Sequence, residues 1–198
     1  TVNNLTLSFK AGDFFQNNPH TLPLLVEHVL RHAGGPADKA LLHMIDAYCG
    51  SGIFALSAAS RFEQVVGVET SIGAVACAED NARANGITNT KFIAGSAECI
   101  FKKVPFGGET ASVVLDPPRR GCDSSFLEQL VAYNPRRIVY VSCRADTLAR
   151  DLGVLVEAGY QLLHVQPFDM FPQTRHIENV ATLDWPERHA ERYAEENI

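Results

Sequence analysis

Asp46-Ala47-Tyr48-Cys49-Gly50-Ser51-Gly52 is the stretch on which the fold reading turns. The apolar run at 41–47 that leads into it reads as a buried strand. Gly50 and Gly52 let the backbone turn sharply where that strand ends. Downstream, runs at 65–69, 90–94, 112–116 and 137–142 predict four more strands. They alternate with helical patterns, which indicates a parallel sheet covered on both faces.

The helical pattern at 19–33 carries Leu22, Leu25, Val26, Val29 and Leu30 on one face and stops at Gly34-Gly35-Pro36. A second, 72–85, ends at Gly86. Ser125 and Glu128 form a capping-box signature ahead of a third at 126–133. The fourth, 146–158, aligns Leu148, Leu152, Leu155 and Val156 and ends at Gly159. Two last strands, 160–167 and 179–183, have only the short segment 173–178 before the final one, too little for a crossover, so they should pair antiparallel. Five parallel strands plus a terminal antiparallel hairpin make a seven-stranded α/β, Rossmann-like sheet of the class I methyltransferase kind. A dinucleotide-binding dehydrogenase is more often parallel throughout. Residues 1–184 are expected to form one catalytic domain and 185–198 a charged tail.

A chain of 198 residues suits one domain with a full core. Its five cysteines, Cys49, Cys77, Cys99, Cys122 and Cys143, are odd in number and contain no CxxC pair. That argues against a disulfide framework or zinc knuckle and suits a reducing, intracellular setting. No run is long and apolar enough to span a bilayer, and no signal peptide is read. The formal charge of −6 is awkward for nucleic-acid binding, so RNA contact must be local or supplied by another part of a longer protein.

A ligand in such a sheet binds outside the carboxyl ends of the strands. The third glycine of a dinucleotide loop is replaced by Ala55, which favours S-adenosylmethionine over NAD. Glu69 closes the second strand at the separation where an acid accepts hydrogen bonds from ribose hydroxyls; its plainer reading is a solvated strand-end carboxylate. Ser96 or Glu98, after the third strand, should lie near the adenine. Asp116-Pro117-Pro118-Arg119-Arg120-Gly121 ends the fourth strand with a stiff lip that holds Asp116 at the crevice. Cys143, at the end of the fifth strand, precedes a helix whose N-terminal field, with Arg144, favours thiolate. On residues alone it reads equally as a nucleophile or a structural thiol, while Cys49 and Cys77 read as structural. The segment Asp169-Met170-Phe171-Pro172-Gln173-Thr174-Arg175-His176-Ile177-Glu178 offers Glu178 as a general base, though by itself it reads better as an ordinary hairpin loop.

Taken together, these segments resemble the RNA uracil-5-methyltransferase family, in family order over nearly the whole chain. The landmarks are Phe14-Phe15-Gln16-Asn17, the glycine loop, the Asp116–Gly121 motif, Ser142-Cys143 followed by Thr147 to Leu152, and the segment ending at Glu178. The resemblance implies Cys143 as nucleophile and Glu178 as base. It places Gln16, Tyr48, Gly50, Gly52, Glu69, Ser96 and Asp116 at the S-adenosylmethionine site. It implies RNA as partner, transfer RNA foremost, a monomer, no membrane and no metal. Ile53 stands where many relatives have a cofactor-contacting Asn, and Arg144-Ala145 replaces the usual Asn-Pro. The family's N-terminal RNA-binding barrel lies outside this sequence. Arg119, Arg120, Arg144 and Arg175 are phosphate-contact candidates, and Phe14, Phe15 and Phe171 stacking candidates. The rival readings are an amino-group methyltransferase of the Asp-Pro-Pro type and a non-catalytic, cofactor-binding RNA chaperone.

Overall fold

A computed structural model describes residues 2, 5–9, 18–35, 38–95 and 100–186. The element order is α1 (Leu22–Ala33), β1 (His43–Ala47), α2 (Ile53–Ala58), β2 (Gln64–Glu69), α3 (Ile72–Ala84), β3 (Thr90–Ala94), β4 (Ala111–Leu115), α4 (Ser124–Tyr133), β5 (Arg137–Ser142), α5 (Ala145–Glu157), β6 (Gln161–Phe168) and β7 (Glu178–Asp184). The seven strands form one sheet in the order β3-β2-β1-β4-β5-β7-β6. β1 to β5 are mutually parallel, and β7 runs antiparallel between β5 and β6. The class I methyltransferase sheet expected from the sequence is therefore present.

The strands read as near-continuous apolar runs because both faces are covered. Alternate residues go to opposite layers. Met44, Val65, Val114, Val139, Val141 and Val180 pack under α1, α2 and α3. Ile45, Val66, Val113, Ile138, Tyr140 and Leu183 pack against α4 and α5. Each side chain of this size contributes about 1.5–3 kcal/mol on burial.

Several boundaries differ from the sequence expectation for local reasons. α1 begins at Leu22 rather than residue 19, because the Asn18 side chain accepts from the backbone N–H groups of His20 and Thr21 and makes a turn there. α4 begins at Ser124, with Asp123 rather than Ser125 in the cap position. The Asp123 carboxylate makes no capping bond and meets Arg120 instead. α2 was not expected: six residues give too little periodicity to read. Trp185, assigned to the tail, sets its ring edge-on against Tyr160, while 187–198 lie outside the described residues.

At the end of β5 and β7 away from the strand tips that carry the loops, Arg137 Nε and Nη2 donate to the two oxygens of Asp184, at 2.6 and 2.7 Å. Arg137 and Asp184 are register partners on these two strands. Both side chains are about nine-tenths buried, and Asp38 Oδ2 lies 3.3 Å from the same guanidinium. Removing one member of such a pair strands a buried charge. Arg137→Met should lower unfolding free energy by about 3–5 kcal/mol, read as a fall in the urea midpoint.

Candidate active site

Five parallel strand ends and one antiparallel strand start meet at one edge of the sheet. The order reverses between β1 and β4, which opens the crevice at their carboxyl ends. Tyr48, Gly50 and Gly52 all have positive φ, of 64°, 51° and 90°. Gly52 is the cap residue of α2, and a Cβ there would press on Ala78 and the Phe92 ring at 3.2 Å. Tyr48 holds its left-handed backbone at a cost of about 1 kcal/mol, with its ring against Phe126.

Glu69, at the tip of β2, braces this loop. Its Oε2 accepts from Gly50 N at 3.2 Å, and its Oε1 accepts from Ser71 N and Thr70 Oγ1, both at 2.9 Å. A second acid that the sequence reading did not single out sits beneath the loop. Asp46 is wholly buried; its Oδ2 accepts from Ala55 N at 2.8 Å in the first turn of α2. Its Oδ1 has no hydrogen-bond partner among the described residues. Burial, with a smaller push from Glu69 against the pull of the Ala55 bond, raises the Asp46 carboxyl to about 7.

Asp116 follows β4 and donates its N–H to Ala47 O at 3.4 Å, so it hangs beside the glycine loop. Burial, then the carboxylates of Glu178 and Asp46, hold it well above the usual carboxylate range. Cys143 is half-buried just past β5. Ser142 pairs with Asn179 across to β7, so Cys143 and Glu178 are the next residues out on neighbouring strands. Glu178 is 1% exposed.

The environment of Cys143 corrects two expectations. Its thiol is raised, not lowered, by burial first and by the Glu178 carboxylate next. The cation that opposes this rise is Arg119, which also hydrogen-bonds the sulfur. Arg144 instead turns to Asp146 in an exposed ion pair. The sequence offers Arg119 only as a phosphate contact; it lies 24 positions before the cysteine, and no local pattern links the two.

The loop that carries Arg119 is clamped from α5. The buried Asp151 accepts from Cys122 N at 2.8 Å, Tyr140 Oη at 2.6 Å and Arg150 Nε at 2.8 Å. Arg150 Nη2 donates to the carbonyls of Arg120 and Cys122. Gly121 has φ 78°, and a Cβ on it would stand 2.5 Å from Arg150 Nη2 and 2.7 Å from Asp151 Oδ2. Over the crevice, the loop after β6 is tied to the start of α1 by Asn18 Nδ2, which donates to Met170 O at 3.1 Å. Cys49 and Cys77 are buried, in keeping with structural roles. Phe171 packs on the core beside α1. Gln16 and Ser96, with Phe14, Phe15 and Glu98, lie outside the described residues.

Fold and crevice together define a domain of the class I methyltransferase type. Residues 2–184 match the family model described as tRNA (Uracil-5-)-methyltransferase, and the chain belongs to that family. It is 42% identical over 190 residues to the tRNA (uracil(54)-C(5))-methyltransferase of Saccharomyces cerevisiae, covering 92% of this chain and 30% of that protein. To the Schizosaccharomyces pombe protein of the same name it is 43% identical over 187 residues, covering 90% and 36%. The chain thus spans about a third of the length of these relatives. Among solved structures, Pyrococcus abyssi tRNA (uracil-54, C5)-methyltransferase in complex with S-adenosyl-L-homocysteine superposes with a TM-score of 0.79, at 30% identity, over 92% of this chain and 43% of that one.

The Asp46 carboxyl binds protons more tightly folded than unfolded, since its folded value of about 7 lies above the ordinary 3.8. Stability should therefore rise as pH falls from about 8 towards 4. Thermal melts of Asp46→Asn across that range should show a shallower pH slope and a higher melting temperature at pH 8.

Proposed function

We propose that this domain transfers a methyl group from S-adenosylmethionine to carbon 5 of uracil in RNA, transfer RNA foremost, through a covalent adduct on Cys143. The observation that carries the reading is the meeting of Cys143, Glu178, Asp116 and Arg119 at the strand edge beside the glycine loop.

The donor fits the residues present. It is a cation at its sulfonium and its ammonium, and the crevice offers Asp46, with one buried oxygen unbonded, next to Asp116. Opposite charge nearby favours the ionised carboxylate. Glu69, already braced on Gly50 N, stands where ribose hydroxyls would be read. When bound, the donor supplies an electrophilic methyl group.

The protein's task is to make carbon 5 nucleophilic. The Cys143 thiolate adds to carbon 6 of the ring, and its electron pair pushes density through carbon 5 to the carbonyl oxygen. Arg119 stabilises the thiolate before attack. After carbon 5 has gained the methyl, Glu178 takes the proton from that carbon. The electrons of the C–H bond then form the C5–C6 double bond, and the sulfur leaves carbon 6 with its pair. The products are 5-methyluracil, a proton and the demethylated donor. Asp116, beside the glycine loop and coupled electrostatically to Glu178, would hold the base against both. The uracil must leave its stack to enter this edge. An amino-group methyltransferase would give the Arg119–Cys143 contact nothing to do.

RNA carrying 5-fluorouridine tests the chemistry, because fluorine at carbon 5 cannot depart as a proton. With S-adenosylmethionine, a denaturation-resistant protein–RNA adduct should form with the native chain and vanish in Cys143→Ala. An adduct or turnover surviving in that variant would reject the mechanism. Arg119→Leu should move the alkaline midpoint of the rate profile to higher pH, since Arg119 lowers the Cys143 thiol. Below that midpoint, transfer should fall about tenfold for each pH unit moved.

A further inference from the structure

Away from the crevice, three imidazoles converge between α1 and the outer strands. His28 and His32 are four residues apart on α1, which places them on one face. His164 comes from β6 and is the register partner of Thr182 on β7. One ring nitrogen from each of the three lies within 4.8 Å of the others. The ring centroids of His28 and His32 are 4.2 Å apart, and those of His32 and His164 5.2 Å.

From these contacts we propose that His28, His32 and His164 form a binding site for a divalent transition-metal ion of the imidazole-preferring kind, zinc or cobalt, joining α1 to the edge strand. Three independent features point to a ligand. His28 is 8% exposed and its Nε2 is buried without a hydrogen-bond partner among the described residues. A buried imidazole nitrogen left unbonded is destabilising, and a metal would satisfy it. Next, His32 Nδ1 lies 3.1 Å from Thr182 Oγ1. A partner on one ring nitrogen fixes the ring and leaves Nε2 to ligate, the usual second contact of a metal-bound histidine. Last, β6 carries a register shift between Leu162 and His164. Without that extra residue, side-chain alternation would send His164 to the opposite face, against α5.

The chemistry of the set narrows the ion. Neutral imidazoles suit zinc, copper, nickel and cobalt, not magnesium or calcium. Three protein ligands leave a fourth position for water, and His164 is exposed, so the ion has a way in. Phe168 closes the inner wall, its ring edge-on to His28 at 5.2 Å. The site shares no residue with the crevice, so methyl transfer and metal binding can be tested apart.

Cobalt(II) titration of the whole chain, followed by visible absorption, tests the site. One equivalent should bind with a tetrahedral d–d spectrum and no thiolate-to-metal charge-transfer band. Zinc chloride should displace it and raise the melting temperature. His164→Ala, at an exposed position, should fold normally and weaken binding about tenfold or more, whereas His20→Ala should bind like the native chain. Absence of binding, unchanged affinity in His164→Ala, or a thiolate band that places the ion on a cysteine would each overturn the proposal.

Discussion

The buried clasp between Arg137 and Asp184 sets the register on which the crevice depends. A pair of this kind adds little net stability once desolvation is counted; its effect here is geometric. β7 is the one strand that enters the sheet from the opposite direction next to a parallel neighbour. Side chains alternate with a period of two, so a slip of one residue would turn every side chain of β7 to the other face. Glu178 would then point away from Cys143, and Thr182 away from His32. Anchoring the far end of the β5–β7 pair thus holds an acid beside a thiol at the near end.

Two segments well apart in the chain prove to be one device. The proline-rich lip after β4 has little hydrogen-bonded scaffold of its own: its prolines lack an N–H, and Gly121 N donates to Pro118 O at 2.8 Å. Asp151 and Arg150 supply that scaffold from α5, and glycine at position 121 is the only residue small enough to let them close. The arginine on the lip is thereby held over the sulfur. Because α5 begins two residues after Cys143, the helix that follows the thiol also carries the brace for its cation.

Most of the architecture was legible in the sequence because it rests on local signals. Apolar runs of strand length, glycine after a helix, and a connection too short for a crossover each act over a few residues. The short helix α2 escaped because one and a half turns carry no measurable period. The placement of the site candidates was legible where a residue sat at a strand tip, as Glu69, Asp116 and Cys143 do. What depended on contacts between distant segments was not. The pairing of Arg119 with Cys143 was hidden in this way. Asp46 lay inside the quoted loop, yet its burial and its unbonded oxygen follow only from how α2 packs over it. The three histidines come from a helix face and a bulged edge strand, and the bulge that aims His164 leaves no mark on the sequence.

Asp46 has a further consequence. An acid raised to about 7 by burial is a proton store. Any cation that settles against it expels the proton, so occupancy and proton release become a single event. Linkage makes the exchange reciprocal: acidifying the medium refills the store and loosens the hold on the cation. Through this one carboxyl the grip of the crevice on a positively charged guest follows the acidity of the surroundings.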